Sequence, residues 1–180
     1  EIPAFYQINP SGTVNGQKID VSIEIQTIAP ITATTRLNVA IAEKKTFKNV
    51  KTNGETEFPH VMKKLIPSSA GTLVGVVPAE SSKTINLTWT VPGAYRLPLD
   101  AQTANIINLA TENSIEDFAN LEVIAWLQES DKSVLQSNSA DLVFVVGTNQ
   151  TVEKKEISIN PNPASSYFFI NMAEFGKDQI

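Results

Sequence analysis

The sequence has no cysteine and a single histidine, His60. Without cysteine there are no disulfides, zinc–thiolate centres or thiol nucleophiles. With one histidine, a histidine-rich metal site and the two-histidine helix of a metalloprotease are also excluded. Charge is sparse: Asp, Glu, Lys and Arg make up 18 % of the 180 residues, with a formal net charge of −5 and no basic block. Phosphate binding needs clustered Lys or Arg, so no nucleic-acid partner is expected. No apolar run approaches the roughly 18 residues of a spanning helix, so no membrane-spanning segment is read here. Nucleophile elbows and phosphate-binding glycine loops are missing as well, and no catalytic residue, metal or cofactor is predicted. The chain opens at Glu1 without a methionine or leader, as a processed protein or an excised fragment would.

What is present is alternation. Apolar residues make up 42 % of the chain, enough for a core, and Thr, Asn and Ser are plentiful, which suits strand surfaces. Ile19, Val21, Ile23 and Ile25 share one face, with Asp20, Ser22, Glu24 and Gln26 on the other, as in a half-buried antiparallel strand. Leu37, Val39 and Ile41 repeat the pattern, as do Ile85, Leu87, Trp89 and Val91, and then Leu121, Val123, Ala125 and Leu127. Residues 142–146 are continuously apolar and bounded by Gly147, which predicts a buried strand. Ser11-Gly12, Asn15-Gly16, Asn53-Gly54 and Pro92-Gly93 mark turns. Short, regularly spaced strands of this kind predict an all-β chain: an antiparallel two-sheet β-sandwich, Ig-like or jelly-roll-like, with one or two short helices in loops. The expected organisation is a sandwich over residues 1–147, a polar linker over 148–156, and a separate segment over 157–180.

One stretch breaks the rhythm. In GETEFPHVMKKLIP, residues 54–67, Val61 is spaced against Leu65 and Met62 against Ile66, predicting one or two helical turns ended by Pro67. On this reading Pro59 starts the helix, Phe58 plugs the sandwich, and Glu55 and Glu57 meet the positive N-terminal end. The functional alternative gathers Glu55, Glu57 and His60 as a loop set for proton transfer or metal binding. The helix accounts for the residue order without a ligand and is preferred. A second turn is predicted over residues 111–118, capped by Asn113 or Ser114. Glu129, Asp131 and Asp141 are weighed as a calcium set and read as solvated turn acids. Asn86-Leu87-Thr88 and Asn149-Gln150-Thr151 match the N-glycosylation pattern and are given little weight. Trp89 is read as core. Trp126 is also read as core, with stacking on a sugar as the alternative.

Two stretches carry a family likeness. The run Leu37-Asn38-Val39-Ala40-Ile41-Ala42-Glu43, then residues 54–67 with their E-F-x-H-V-M order, then ANLEVIAWLQ at 119–128 and Val134-Leu135-Gln136, resembles the twenty-eight-kilodalton outer-membrane protein family. That resemblance covers roughly residues 5–147. It implies a surface or secreted lipoprotein-like protein of a Gram-negative bacterium with type IX secretion, and a β-sandwich that follows a thioredoxin-like domain in longer members. Ile157-Ser158-Ile159-Asn160 and the turn Pro161-Asn162-Pro163-Ala164, followed by Tyr167-Phe168-Phe169-Ile170, resemble the start of a type IX C-terminal sorting domain. Two prolines flanking Asn162 suit an extended–turn–extended path. The resemblance implies that the type IX secretion machinery is a partner of this segment, which is read as truncated.

Together these readings predict a non-enzymatic surface or secreted module for binding or adhesion, with a protein or glycan ligand. The alternatives are an accessory domain of a larger thioredoxin-like or hydrolytic surface protein, and a sugar- or calcium-binding sandwich.

Overall fold

A computed structural model describes residues 4–50, 54–97 and 106–145, and the backbone of Ile159–Asn160 and Phe169–Ile170. The chain divides into two compact units, Glu1–Gly147 and Thr148–Ile180.

The first unit is an all-β sandwich. In chain order its strands are β1 (Tyr6–Asn15), β2 (Lys18–Thr27), β3 (Arg36–Thr46), β4 (Phe58–Ile66), β5 (Thr72–Leu73), β6 (Ser81–Thr90), β7 (Ala94–Tyr95), β8 (Glu112–Asn113), β9 (Leu121–Gln128), β10 (Val134–Asp141) and β11 (Val143–Val145). One sheet has the order β11-β1-β2-β6; the other runs β10-β9-β3-β4, with β5 also pairing β3. The long pairings are antiparallel, and the short β1–β11 and β7–β8 pairings are parallel.

The core lies between the two sheets. Ile8, Val14, Ile19, Val21, Ile23 and Ile25 come from one, and Leu37, Val39, Ile41, Ile66, Leu121, Val123, Ala125 and Leu127 from the other. Each Ile, Leu or Val among them, fully buried, contributes roughly 1.5–3 kcal/mol. Ile31, Val77, Val91 and Ile115 from the connections close the ends. The alternation in β2, β3, β6 and β9 thus does what its period requires, placing one face on the core.

Four expectations are corrected. Residues 58–66 are strand β4 and not a helix, paired with β3 from Thr46 opposite Phe58 to Val39 opposite Ile66. In place of the turn over 111–118, Glu112–Asn113 form strand β8, and a 3-10 turn follows at Phe118–Asn120, capped by the Asp117 carboxylate accepting from Ala119 N. Ser11-Gly12 is no turn but the middle of β1. A Cβ on Gly12 would lie 2.5 Å from the Asp20 carbonyl oxygen and 2.8 Å from Leu142 Cδ2, so the glycine serves close approach. Among the described residues of the apolar run after Asp141 only Leu142 is buried, and Val143, which starts β11, is 64 % exposed. The Asn15-Gly16 turn stands, with Gly16 at φ +56° between β1 and β2.

In the second unit β12 (Ile159–Asn160) pairs antiparallel with β13 (Phe169–Ile170). The predicted linker 148–156 and the turn Pro161, Asn162, Pro163 and Ala164 lie outside the described residues.

Candidate functional site

The segment that interrupts the alternation lies on an edge strand, and its irregularities are physical. β4 holds register with β3 as far as Met62 opposite Ala42, then slips by one so that Lys64 opposes Ile41. Lys63 is the extra residue of this bulge, and the bulge turns it inward. Its ammonium meets Glu43 at 3.0 Å, with the two side chains 4 % and 0 % exposed. A buried ion pair persists only when its remaining donors and acceptors are satisfied. Here they are. The Glu43 carboxylate also accepts from Glu116 N (3.0 Å) and Asp117 N (2.7 Å), and Lys63 donates to the Ser114 carbonyl at 2.7 Å. The Glu116 carboxylate in turn accepts from Phe47 N (2.8 Å) and Lys48 N (2.9 Å). Burial raises the Tyr95 phenol above its ordinary 10.0, and the Glu116 and Glu43 carboxylates push it the same way. This network ties the β3–β4 connection to the segment before β9. Its chemistry is structural.

His60 sits on the other face of β4, at φ +51°, a backbone region uncommon for a residue with a side chain. Its Nδ1 is 2.6 Å from Glu122 Oε1, the imidazole 68 % exposed and the carboxylate 7 %. A carboxylate so covered needs a donor, and an ionised one can only accept, so Nδ1 carries the proton. Nε2 is left toward solvent. On the neighbouring strands, Asp141 lies in register with Glu122 and pairs with Lys44 at 2.9 Å.

The three residues considered together in the sequence are not gathered. Glu57 pairs with Lys45 at 3.0 Å, Glu55 stays in the exposed approach to β4, and His60 turns to Glu122. Glu129 accepts from Thr35 Oγ1 at 2.6 Å, and Asp131 accepts from Ser133 N and Oγ, which hold its carboxyl below the ordinary 3.8. Among the described residues no group of three or more His, Cys, Asp or Glu is placed to hold a metal ion.

Two depressions of about 610 and 600 Å³ mark the four-stranded sheet. The second is lined by hydroxyls such as Ser11 and Thr88, the Asn86 amide and two carboxylates, Asp20 and Asp141, beside apolar residues such as Leu87 and Val143. Lys18 and then Thr88 hold the Asp20 carboxyl below its ordinary 3.8.

The outer face of the five-stranded sheet differs in having an aromatic ring. Trp126 lies between Asn38 on β3 and Ser137 on β10, and Ile124 between Ala40 and Ser139. Trp89 packs partly buried against the core, as expected, but Trp126 is not part of the core and is half-buried on this outer face. Among the described residues nothing accepts from its indole N–H, and the Ser137 and Ser139 hydroxyls are likewise uncommitted. Asn38 Nδ2 donates to Gln128 Oε1 at 3.4 Å, closing one side. The arrangement offers a flat stacking ring beside neutral hydrogen-bonding groups. The sequence did contain the signal, since the face opposite Leu121, Val123, Ala125 and Leu127 carries both Ile124 and Trp126. The pairs Glu43–Lys63 and His60–Glu122 were not legible, because the partners are distant in the chain.

No family model and no curated protein matches the chain. Among solved structures, a β-glucosidase from Kluyveromyces marxianus is similar at 12 % identity and a TM-score of 0.28, covering 77 % of this chain and 14 % of that enzyme. The chain therefore spans about a seventh of the length of the protein it matches.

Proposed function

We propose that the chain is a non-enzymatic β-sandwich module of a cell-surface or secreted protein, used for binding or adhesion and exported by the type IX route. The observation that carries the binding reading is Trp126: a half-exposed ring on a flat sheet face, its N–H uncommitted, flanked by free hydroxyls. Aromatic faces stack on the C–H face of sugar rings or on apolar side chains, and neutral hydroxyls and amides suit an uncharged ligand. The export reading rests on the likeness of residues 157–170 to a sorting segment and of residues 37–67 and 119–136 to surface proteins of bacteria that use this route.

Tryptophan emission of the full chain, titrated with neutral oligosaccharides and with surface-protein fractions, tests the binding reading. A saturable change is expected, lost in Trp126→Ala and kept in part by Trp126→Phe. A chain that neither responds to nor is retained by any ligand of either class overturns it. For export, residues 148–180 fused to a reporter are expected to reach the surface of a type IX-competent bacterium, and periplasmic retention of the fusion refutes that part.

A further inference from the structure

The edges of the sandwich are treated unequally. An unpaired strand edge is a template for another strand, and folded chains usually blunt it with proline, bulges, twist or a covering group. β4 carries Pro59, the left-handed residue His60 and the Lys63 bulge. β10 has a register shift between Val134 and Gln136. The part of β1 that lies beyond β11 is covered from the opposite sheet, where Gln136 Nε2 donates to the Tyr6 carbonyl at 3.1 Å and Asn138 Nδ2 to the Ile8 carbonyl at 2.8 Å. β6 has no proline, bulge or covering amide, and its one charged residue, Lys83, is core-facing with its ammonium held by the Val74 carbonyl. It pairs with β2 at ten consecutive positions, from Ser81 opposite Thr27 to Thr90 opposite Lys18, without proline or bulge. None of its ten residues is buried, although Ile19, Val21, Ile23, Ile25 and Thr27 of the adjacent β2 all are. Among the described residues nothing bonds to the outward backbone groups of residues 82–90.

We propose that the β6 edge pairs with β6 of a second copy of this chain, antiparallel about a two-fold axis at Asn86, joining two four-stranded sheets into one. The sequence of the strand fixes both occupant and register. Directly opposed residues of antiparallel strands share a face, so the core-facing set Lys83, Ile85, Leu87 and Trp89 must meet itself, as must the outer set Ser82, Thr84, Asn86, Thr88 and Thr90. The midpoint of the strand, between Ile85 and Asn86, breaks this rule, which leaves axes at Ile85 or at Asn86. The axis at Ile85 sets Lys83 against the partner's Leu87. The axis at Asn86 sets Ile85 against the partner's Leu87, Thr84 against the partner's Thr88 and Ser82 against the partner's Thr90. Aliphatic then meets aliphatic and hydroxyl meets hydroxyl, the favourable cross-strand pairs. No like charges meet, since Lys83 faces the partner's Trp89 and its own ammonium is held by the Val74 carbonyl at 2.5 Å. An isologous contact of this kind closes at two copies.

Sedimentation equilibrium of the full chain over a wide concentration range tests the pairing. A monomer–dimer equilibrium is expected. Thr84→Lys combined with Thr88→Lys places ammonium against ammonium twice and is expected to weaken the dimer about tenfold or more. Thr84→Lys combined with Thr88→Glu opposes unlike charges in this register alone and is expected to restore the dimer to within about threefold of wild type. Melting curves check that both variants fold. If either does not, amide exchange in the wild-type chain decides, with protection of residues 82–90 expected to rise with concentration. A chain that is monomeric throughout, a dimer indifferent to both variants, a dimer weakened equally by both, or exchange at β6 independent of concentration overturns the proposal.

Discussion

The two sides of the four-stranded sheet solve the same problem in opposite ways. On the β1 side, carbonyl oxygens that would face solvent accept from Gln136 and Asn138, amides reaching across from the other sheet. On the β6 side, among the described residues, nothing bonds to the outward backbone of residues 82–90. Both strands are ten residues long, so length does not separate them. What separates them is whether the facing sheet presents a side chain that can satisfy the edge. β10 places inward amides against β1. Opposite β6 lies β4, whose inward cation, Lys63, is already committed to Glu43 and Ser114. A guarded edge is part of the fold, and an unguarded edge is free for a partner.

The largest expected effect comes from breaking the guarded β4 edge at its anchor. Lys63→Met leaves the Glu43 carboxylate buried without its cation and is expected to cost about 3–5 kcal/mol in urea unfolding. Combined with Glu43→Gln, much of that loss is expected to return, because the uncompensated charge is gone. A single variant no more than marginally destabilised shows that the pair does not anchor the bulge.

This anchor also marks the limit of what the sequence made legible. β2, β3, β6 and β9 could be read because each turns a period-two apolar set toward the core. β4 could not, since the extra residue at Lys63 breaks that period. The resulting spacing of Val61 to Leu65 and Met62 to Ile66 imitates a helix, and Pro59 before it imitates a helix start. β1 was hidden by Ser11-Gly12, which read as a turn. Pro10 lies where β1 pairs only with β2, so no ladder bond is lost on its open side, and Gly12 is there for close packing. The run after Asp141 misled in the other direction, because an apolar stretch states composition and not exposure. For the candidate site, the stacking alternative at Trp126 was visible in the mixed outer face of β9. The partner of His60 was not, because Glu122 lies 62 residues away in the chain and only the β4-β3-β9 register brings them together.

A smaller effect sharpens the contrast on the β1 side. Asn138→Leu removes the donor to the Ile8 carbonyl and is expected to cost about 1–3 kcal/mol. It is also expected to add an association that Thr84→Lys with Thr88→Lys does not suppress, since the newly open edge is β1. Calorimetry reads the first outcome and sedimentation the second. A stability loss without new association shows that the amide supports the fold and does not guard the edge.

The smallest effect lies along the β2–β6 seam. Lys18 and Thr88 hold the folded Asp20 carboxyl below its ordinary 3.8. A group depressed in this way stabilises the fold above the ordinary value, and that contribution fades as pH falls through the lower folded value. Asp20→Asn is therefore expected to lower the melting temperature slightly at neutral pH, with the gap from wild type closing below pH 3.8. A gap that is constant with pH shows that the carboxylate's charge plays no part in holding β6.

The single histidine carries a practical consequence. With one imidazole in the chain, every imidazole resonance in a spectrum belongs to His60. Its Nδ1 proton is retained by Glu122 only while β4 stays seated against β3 and β9. The unmodified protein thus contains its own label for edge fraying: loss of that tautomer, followed as denaturant rises, times the departure of β4 separately from the melting of the core.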